Sequence, residues 1–272
     1  MDHLSSPETI AAVRRIARQK AALTPGQMLL RGALAGGLLA YATSFVMVIL
    51  SQGFPPLVGA LCFPVGFVML VLLGLELATG NFALLTVGLL SRDLGWKSLL
   101  RNWTWVYLGN LAGSLAYAAL FCAAITSFGA TSGGPVAEQV RRVALAKTTA
   151  YAAMGLAGWG TAFVKAVLCN WMVTIGAVLA LVSRSTMGKI VAMWLPIATF
   201  FAHGYEHSIV NMFLLPAGMI LQAPVSAGEW WWWNQIPVTL GNMIAGVVLT
   251  GAALAICFPK STAAEVSEAQ AA

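Results

Sequence analysis

GLELATGN, residues 74–81, and GYEHSIVN, residues 204–211, share the spacing G-x-E-x-x-x-x-N, and each stands inside a long apolar run. An ionisable side chain placed in hydrocarbon is costly and marks a functional position by default. Matched glycine-interrupted segments in two halves of a chain also point to a transporter's binding site built from discontinuous helices. The two stretches therefore predict a fold in which two broken helices meet, and the function is to be sought where they do.

Composition supplies the solvent for that reading. Of the 272 residues, 59% are hydrophobic and 9% charged, with a mean hydropathy of +0.82, whereas soluble domains carry roughly one-quarter charged residues. The fold class that follows is an all-α integral membrane protein with the lipid bilayer as its surroundings. Charge-poor runs near 27–51, 56–90, 99–127, 157–183, 188–218 and 235–258 are each long enough for a transmembrane helix, which needs about 20 apolar residues. The second and fifth runs exceed one straight crossing and hold the two motifs, so spans two and five are expected to be broken. Such irregular backbone is tolerated at membrane depth only where it lines a cavity or is buried in protein.

The net charge of +6 does not argue for nucleic acid, because the cations avoid the apolar runs. Eleven of the fifteen Lys and Arg lie in 1–31, 91–101, 184–189 and the tail, while Arg141, Arg142, Lys147 and Lys165 fall on the other side. The positive-inside rule then places both termini in the cytoplasm, and the protein in the cell's inner (plasma) membrane. Residues 1–26 lack the apolar core of a secretory signal. Ile10, Val13, Ile16 and Ala17 have helical apolar spacing beside Arg14, Arg15 and Arg18, the pattern of an amphipathic helix lying on the membrane surface. WWWW, Trp230–Trp233, reads as an aromatic anchor preceding span six. The tail 259–272 is small, polar and expected to be disordered. Cys62, Cys122, Cys169 and Cys257 stand singly, which argues against a metal site or disulfide frame. No metal and no cofactor is expected.

Glu76 and Glu206 are 130 residues apart, as are Asn81 and Asn211, and the LGN ending at Asn110 recurs ending at Asn242. Arg31, opening span one, has Lys165 opening span four. One repeat, about 27–127, therefore holds three spans, and the second, about 157–258, must enter from the opposite face. The transport domain 27–258 is thus an aquaporin-like inverted 3+3 repeat. Each break would expose a half-helix N-terminus whose N–H groups favour an anion.

His207 is the residue at the breaks that changes charge near neutral pH. Facing the pathway, it would attract a monovalent anion or lend it a proton; otherwise it hydrogen-bonds the unwound backbone. Both readings stand on the residues alone. Glu76 and Glu206 are expected to brace the breaks by accepting backbone N–H bonds, with Asn81 and Asn211 as caps and Ser208 and Thr79 able to do either job. His203 and His207 have the i, i+4 spacing of a metal or haem pair, but Gly204 lies between them and no third ligand is at hand.

The chain resembles the formate/nitrite transporter family from about Arg31 to Phe258. NWTWVYLGNLAG (Asn102–Gly113), AFVKAVLCNWMV (Ala162–Val173), GYEHSIVNMFLLP (Gly204–Pro216) and IPVTLGN (Ile236–Asn242) carry the likeness. The resemblance implies a homopentamer with one pore per protomer, six spans, and conduction of small monovalent anions such as formate, nitrite or hydrosulfide, without enzymatic activity. It further implies that His207 is the central pore histidine and that Thr79 and Asn170 are its polar neighbours. Glu206 and Asn211 are its supports, Phe67 and Phe200 form constrictions on either side, and Lys147 is a vestibule lysine that draws anions. The linker from Lys147 to Asn170 is longer than the family's, and His203 stands where a small residue is expected. The expected function is a channel for formate, with His207 protonation coupled to anion passage. Nitrite or hydrosulfide is the alternative within transport, and a haem-bearing oxidoreductase subunit is the distant one.

Overall fold

The computed structural model describes residues 3–259, all of them in helices and their connections apart from an isolated bridge between His3 and Ser183. The polar tail beyond Pro259 lies outside the described residues. Helix α1 (Ser6–Ala22) opens with a capping box in which Glu8 Oε2 accepts the Ser5 N–H at 2.7 Å. Helix α2 (Pro25–Ser51) opens with another, Thr24 with Gln27, and carries proline in its first turn, where the missing N–H costs nothing. There follow α3 (Pro56–Leu72), α4 (Ala78–Leu90), α5 (Trp96–Ile125), α6 (Gly134–Ala146) and α7 (Thr149–Ala153). The chain is completed by α8 (Leu156–Val182), α9 (Thr186–Ala202), α10 (Ser208–Ile220) and α11 (Ala227–Cys257).

Helices α2, α5, α8 and α11 are 27, 30, 27 and 31 residues long and apolar enough to cross a membrane. The apolar α3, α4, α9 and α10 are shorter, and they contain the two motif-bearing interruptions. α2 lies along α5, and α8 along α11. The first pair approaches so closely that a Cβ on Gly113 would collide with the Ala33 carbonyl, the small-residue contact expected of membrane helices. Phe63, Phe82, Phe200 and Phe213 are each no more than 2% exposed and fill the space among α2, α4, α9 and α10.

Two expectations change. α1 is docked on protein, with Val13 and Ala17 fully buried and Val13 clustered with Leu84, Leu85, Leu99 and Val178. Its apolar stripe, read as a lipid-facing surface, is covered by α4, α5 and α8. Arg14 fixes it further through Asp93, Nε to Oδ2 at 2.6 Å and Nη2 to Oδ1 at 3.0 Å. The four tryptophans lie inside α11 rather than before it, and the indole N–H of buried Trp230 donates to Gln235 Oε1 at 3.1 Å. The linker between the halves is also helical, as α6 and α7.

Candidate functional site

The two breaks share one construction. After α3 the chain turns at Gly74 and after α9 at Gly204, both with φ of +65° and no atom within 4 Å of an added Cβ. The backbone conformation, not crowding, requires glycine there. Leu77 and His207, the residues before α4 and α10, have φ, ψ of −118°, 118° and −119°, 120°.

Hydrogen bonds repeat residue by residue. Asn110 Oδ1 accepts the Ala78 N–H at 2.9 Å, and its amide donates to the Gly32 and Glu76 carbonyls at 2.8 and 2.9 Å. Asn242 Oδ1 accepts the Ser208 N–H at 2.9 Å, and its amide donates to the Ala166 and Glu206 carbonyls at 2.8 and 3.0 Å. Glu76 receives Lys20 Nζ at 2.8 Å and Asn81 Nδ2 at 2.7 Å; Glu206 receives Lys147 Nζ and Asn211 Nδ2, both at 2.8 Å. Asn81 and Asn211 donate onward to Asn102 and Asn234 at 2.9 and 2.8 Å, and those amides donate to the carbonyls of Lys20 and Lys147. α6 therefore stands in the second half where α1 stands in the first, each delivering a lysine to the carboxylate of a break.

This differs from the expected bracing. The carboxylates accept side-chain donors, and the first backbone N–H of each half-helix goes to Asn110 or Asn242 instead. Each carboxylate is occupied by an ammonium and an asparagine amide, whereas Asn110 and Asn242 can each accept from one stretch of backbone and donate to two others. Lys147, expected in an open vestibule, is ion-paired with a side chain only 2% exposed.

The halves diverge at the centre. His207 Nδ1 accepts the Val210 N–H at 3.3 Å, so the ring caps α10, and Nε2 lies 3.0 Å from Thr79 Oγ1 on the other break. An accepting Nδ1 assigns the neutral ring's proton to Nε2, which donates to the threonine. The Phe200 ring stacks on the imidazole, centroids 5.9 Å apart at 21°. Asn170 donates to the Thr79 and Asn242 carbonyls at 3.1 and 2.6 Å, joining α8 to both halves, and its Oδ1 has no partner among the described residues. Ser208 Oγ and Asn211 Oδ1 are buried without partners in the same way. Thr79, Asn170, Phe200 and His207 thus come together, while Phe67 lies buried in α3 within the same apolar core. His203 is exposed, donates from Nδ1 to the Thr199 carbonyl at 2.8 Å and stacks on Tyr205.

Lys20, Asn102, Asn234 and Tyr151 were missed. For the asparagines a signal existed: NWTWVYLGN and NQIPVTLGN share their first Asn as well as LGN. Tyr151 comes from α7 in the long linker, and its hydroxyl donates to Glu206 Oε1 at 2.8 Å; among the described residues Glu76 has no such third partner.

The formate/nitrite transporter family profile matches residues 7–256. The chain belongs to the formate/nitrite transporter family. Members of this family are channels and transporters rather than enzymes, so the chain is a multi-pass membrane protein of that class. It is 34% identical over 259 residues to a "Probable formate transporter" of Methanothermobacter thermautotrophicus, covering 90% of this chain and 93% of that one. It is 32% identical to the formate channel FocA of Escherichia coli, covering 73% of each. Among solved structures, an "FNT family ion channel" superposes with a TM-score of 0.77 at 29% identity, covering 93% of this chain and 98% of that one. A "Pentameric formate channel with formate bound" gives 0.72 at 26% identity, covering 87% and 98%.

Proposed function

We propose that this family member is a formate channel of the inner (plasma) membrane in which His207 protonation is coupled to anion passage. The observation that carries the reading is the 3.0 Å contact between His207 Nε2 and Thr79 Oγ1, which ties the two breaks together at a buried point under an aromatic ring. α3 with α4 and α9 with α10 each make one broken crossing, giving six spans in two inverted halves. The repeated hydrogen-bond network supports that topology, and the distribution of Lys and Arg supports cytoplasmic termini. The relatives named as formate channels favour formate as the anion, and the pentameric relative favours a homopentamer with a pore in each protomer.

The chemistry follows from the two ring nitrogens. In the neutral ring Nδ1 holds the Val210 N–H, leaving Nε2–H and the threonine hydroxyl to meet an anion. A second proton must enter at Nδ1 and break the cap, leaving a buried N–H unpaired at about 1–3 kcal/mol. The charged ring therefore persists only beside an anion, to which it passes the Nε2 proton. The anion leaves as a neutral acid, which crosses the apolar constrictions formed by Phe67 and Phe200 without the several kcal/mol that an unpaired ion costs. Glu76, Asn81, Glu206, Ser208 and Asn211 support the breaks. Proteoliposome fluxes of formate, nitrite and hydrosulfide, each measured with its accompanying pH change from pH 5 to 8, test the proposal. Formate should move fastest and carry protons with it; faster nitrite or hydrosulfide flux overturns the substrate, and flux without pH change overturns the coupling.

A further inference from the structure

Resting on the anion-pathway reading, we infer that Arg31 forms a docking site for a small carboxylate in the cavity beneath α1, and that Lys165, its counterpart in the second half, does not. The cavity holds about 430 Å³, is covered by Gln19 and Lys20 of α1, and reaches Gly74 and Glu76 at the first break. Lys20 and Glu76 neutralise one another at 2.8 Å, with side chains 15% and 2% exposed. Arg31 also lines the cavity and has no carboxylate within ion-pair distance among the described residues. The net charge of this lining is therefore the guanidinium's, and a cleft with an excess of one sign concentrates counter-ions. A planar guanidinium offers two parallel N–H bonds to a carboxylate, a geometry that an ammonium cannot reproduce.

The repeat explains the asymmetry. Asn110 bonds the Gly32 carbonyl and Asn242 the Ala166 carbonyl, so Arg31 and Lys165 occupy matching places just before them. Lys165 Nζ, however, lies 3.5 Å from the Tyr151 hydroxyl and 5.7 Å over that ring. Its charge is already engaged by an aromatic face, a contact of the cation–π kind, and Tyr151 in turn is bonded to Glu206. Of the two matching cations, one thus presents a free fork and the other an occupied ammonium.

The test uses the full chain in oriented proteoliposomes, with formate supplied from one face at a time, and in detergent with formate observed by saturation-transfer NMR. Arg31→Gln should raise the half-saturating formate concentration at the α1 face about fivefold or more, leave the other face unchanged, keep maximal flux within about twofold, and weaken the transfer signal to the part that the central site supplies. Arg31→Lys, which keeps the charge and loses the fork, should fall between. Wild-type half-saturation and an undiminished signal in Arg31→Gln overturn the site, as does an equal effect at both faces. Should the wild type conduct no formate yet show an Arg31-dependent signal, the site stands and the conduction reading fails.

Discussion

Replacing Lys147 by methionine should destabilise the protein before it slows anion entry, and the geometry sets the scale. The ammonium sits 2.8 Å from Glu206 Oε2, with side chains 16% and 2% exposed. Its removal strands a carboxylate that keeps Tyr151 and Asn211 at 2.8 Å and Asn234 at 3.4 Å. Breaking a buried pair by removing one partner costs about 3–5 kcal/mol, and these neutral donors place this case near the low end. At about 3 kcal/mol the unfolding equilibrium shifts roughly 150-fold. Lys147→Met with Glu206→Gln removes both charges, and should recover about 2 kcal/mol of that loss as a coupling term. The assay is reversible unfolding in mixed detergent for wild type, both single variants and the double. Uptake at low formate and varied salt is measured alongside. A loss under about 1 kcal/mol for Lys147→Met, together with a salt-sensitive fall in uptake, would refute the structural role and restore the lysine as a steering charge.

Three further perturbations separate roles within the site. His207→Asn retains an oxygen able to cap Val210, so folding yield should hold while formate-driven pH change disappears; wild-type proton movement would remove His207 from the mechanism. Asn242→Ala removes three bonds to backbone groups at 2.8–3.0 Å and leaves the Ser208 N–H and the Glu206 carbonyl without this partner, and at about 1 kcal/mol each the loss should be about 3 kcal/mol. Asn110→Ala should match it, and an unfolding midpoint unchanged in either would contradict the shared construction. The Arg14 hydrogen bond holds the Asp93 carboxyl below its ordinary value. A folded pKa below the unfolded one gives stability that is present above the unfolded value, about 3.9, and is lost as pH falls through the folded one. Limited proteolysis should find α1 docked from pH 7 to 5 and released only under stronger acid, and release between pH 7 and 5 would show that another group controls it.

Much of this was legible because the membrane restricts what a residue can be doing. A Glu or Asn in an apolar run has few innocent explanations, so Glu76, Glu206 and the LGN pair marked the breaks by type and spacing. Helix-bound contacts from outside the apolar runs were not legible in the same way. Lys20 precedes Glu76 by 56 residues in a segment whose composition fits a lipid surface equally well, and nothing in the sequence says that α1 is covered by α4, α5 and α8. Tyr151 looks like linker, and only the return of α7 toward α10 brings it to Glu206.

By itself the sequence determined the solvent, the two helix breaks and the motif that recurs at them, because periodicity and the cost of burying charge act on local strings. The tertiary structure decided which donor meets which acceptor. It turned Lys147 from an expected anion collector into the partner of Glu206, and it gave His207 two roles, a helix cap at Nδ1 and a polar contact at Nε2. Those assignments depend on separations of about 3 Å between residues as many as 128 positions apart, and spacing along the chain carries no such distance.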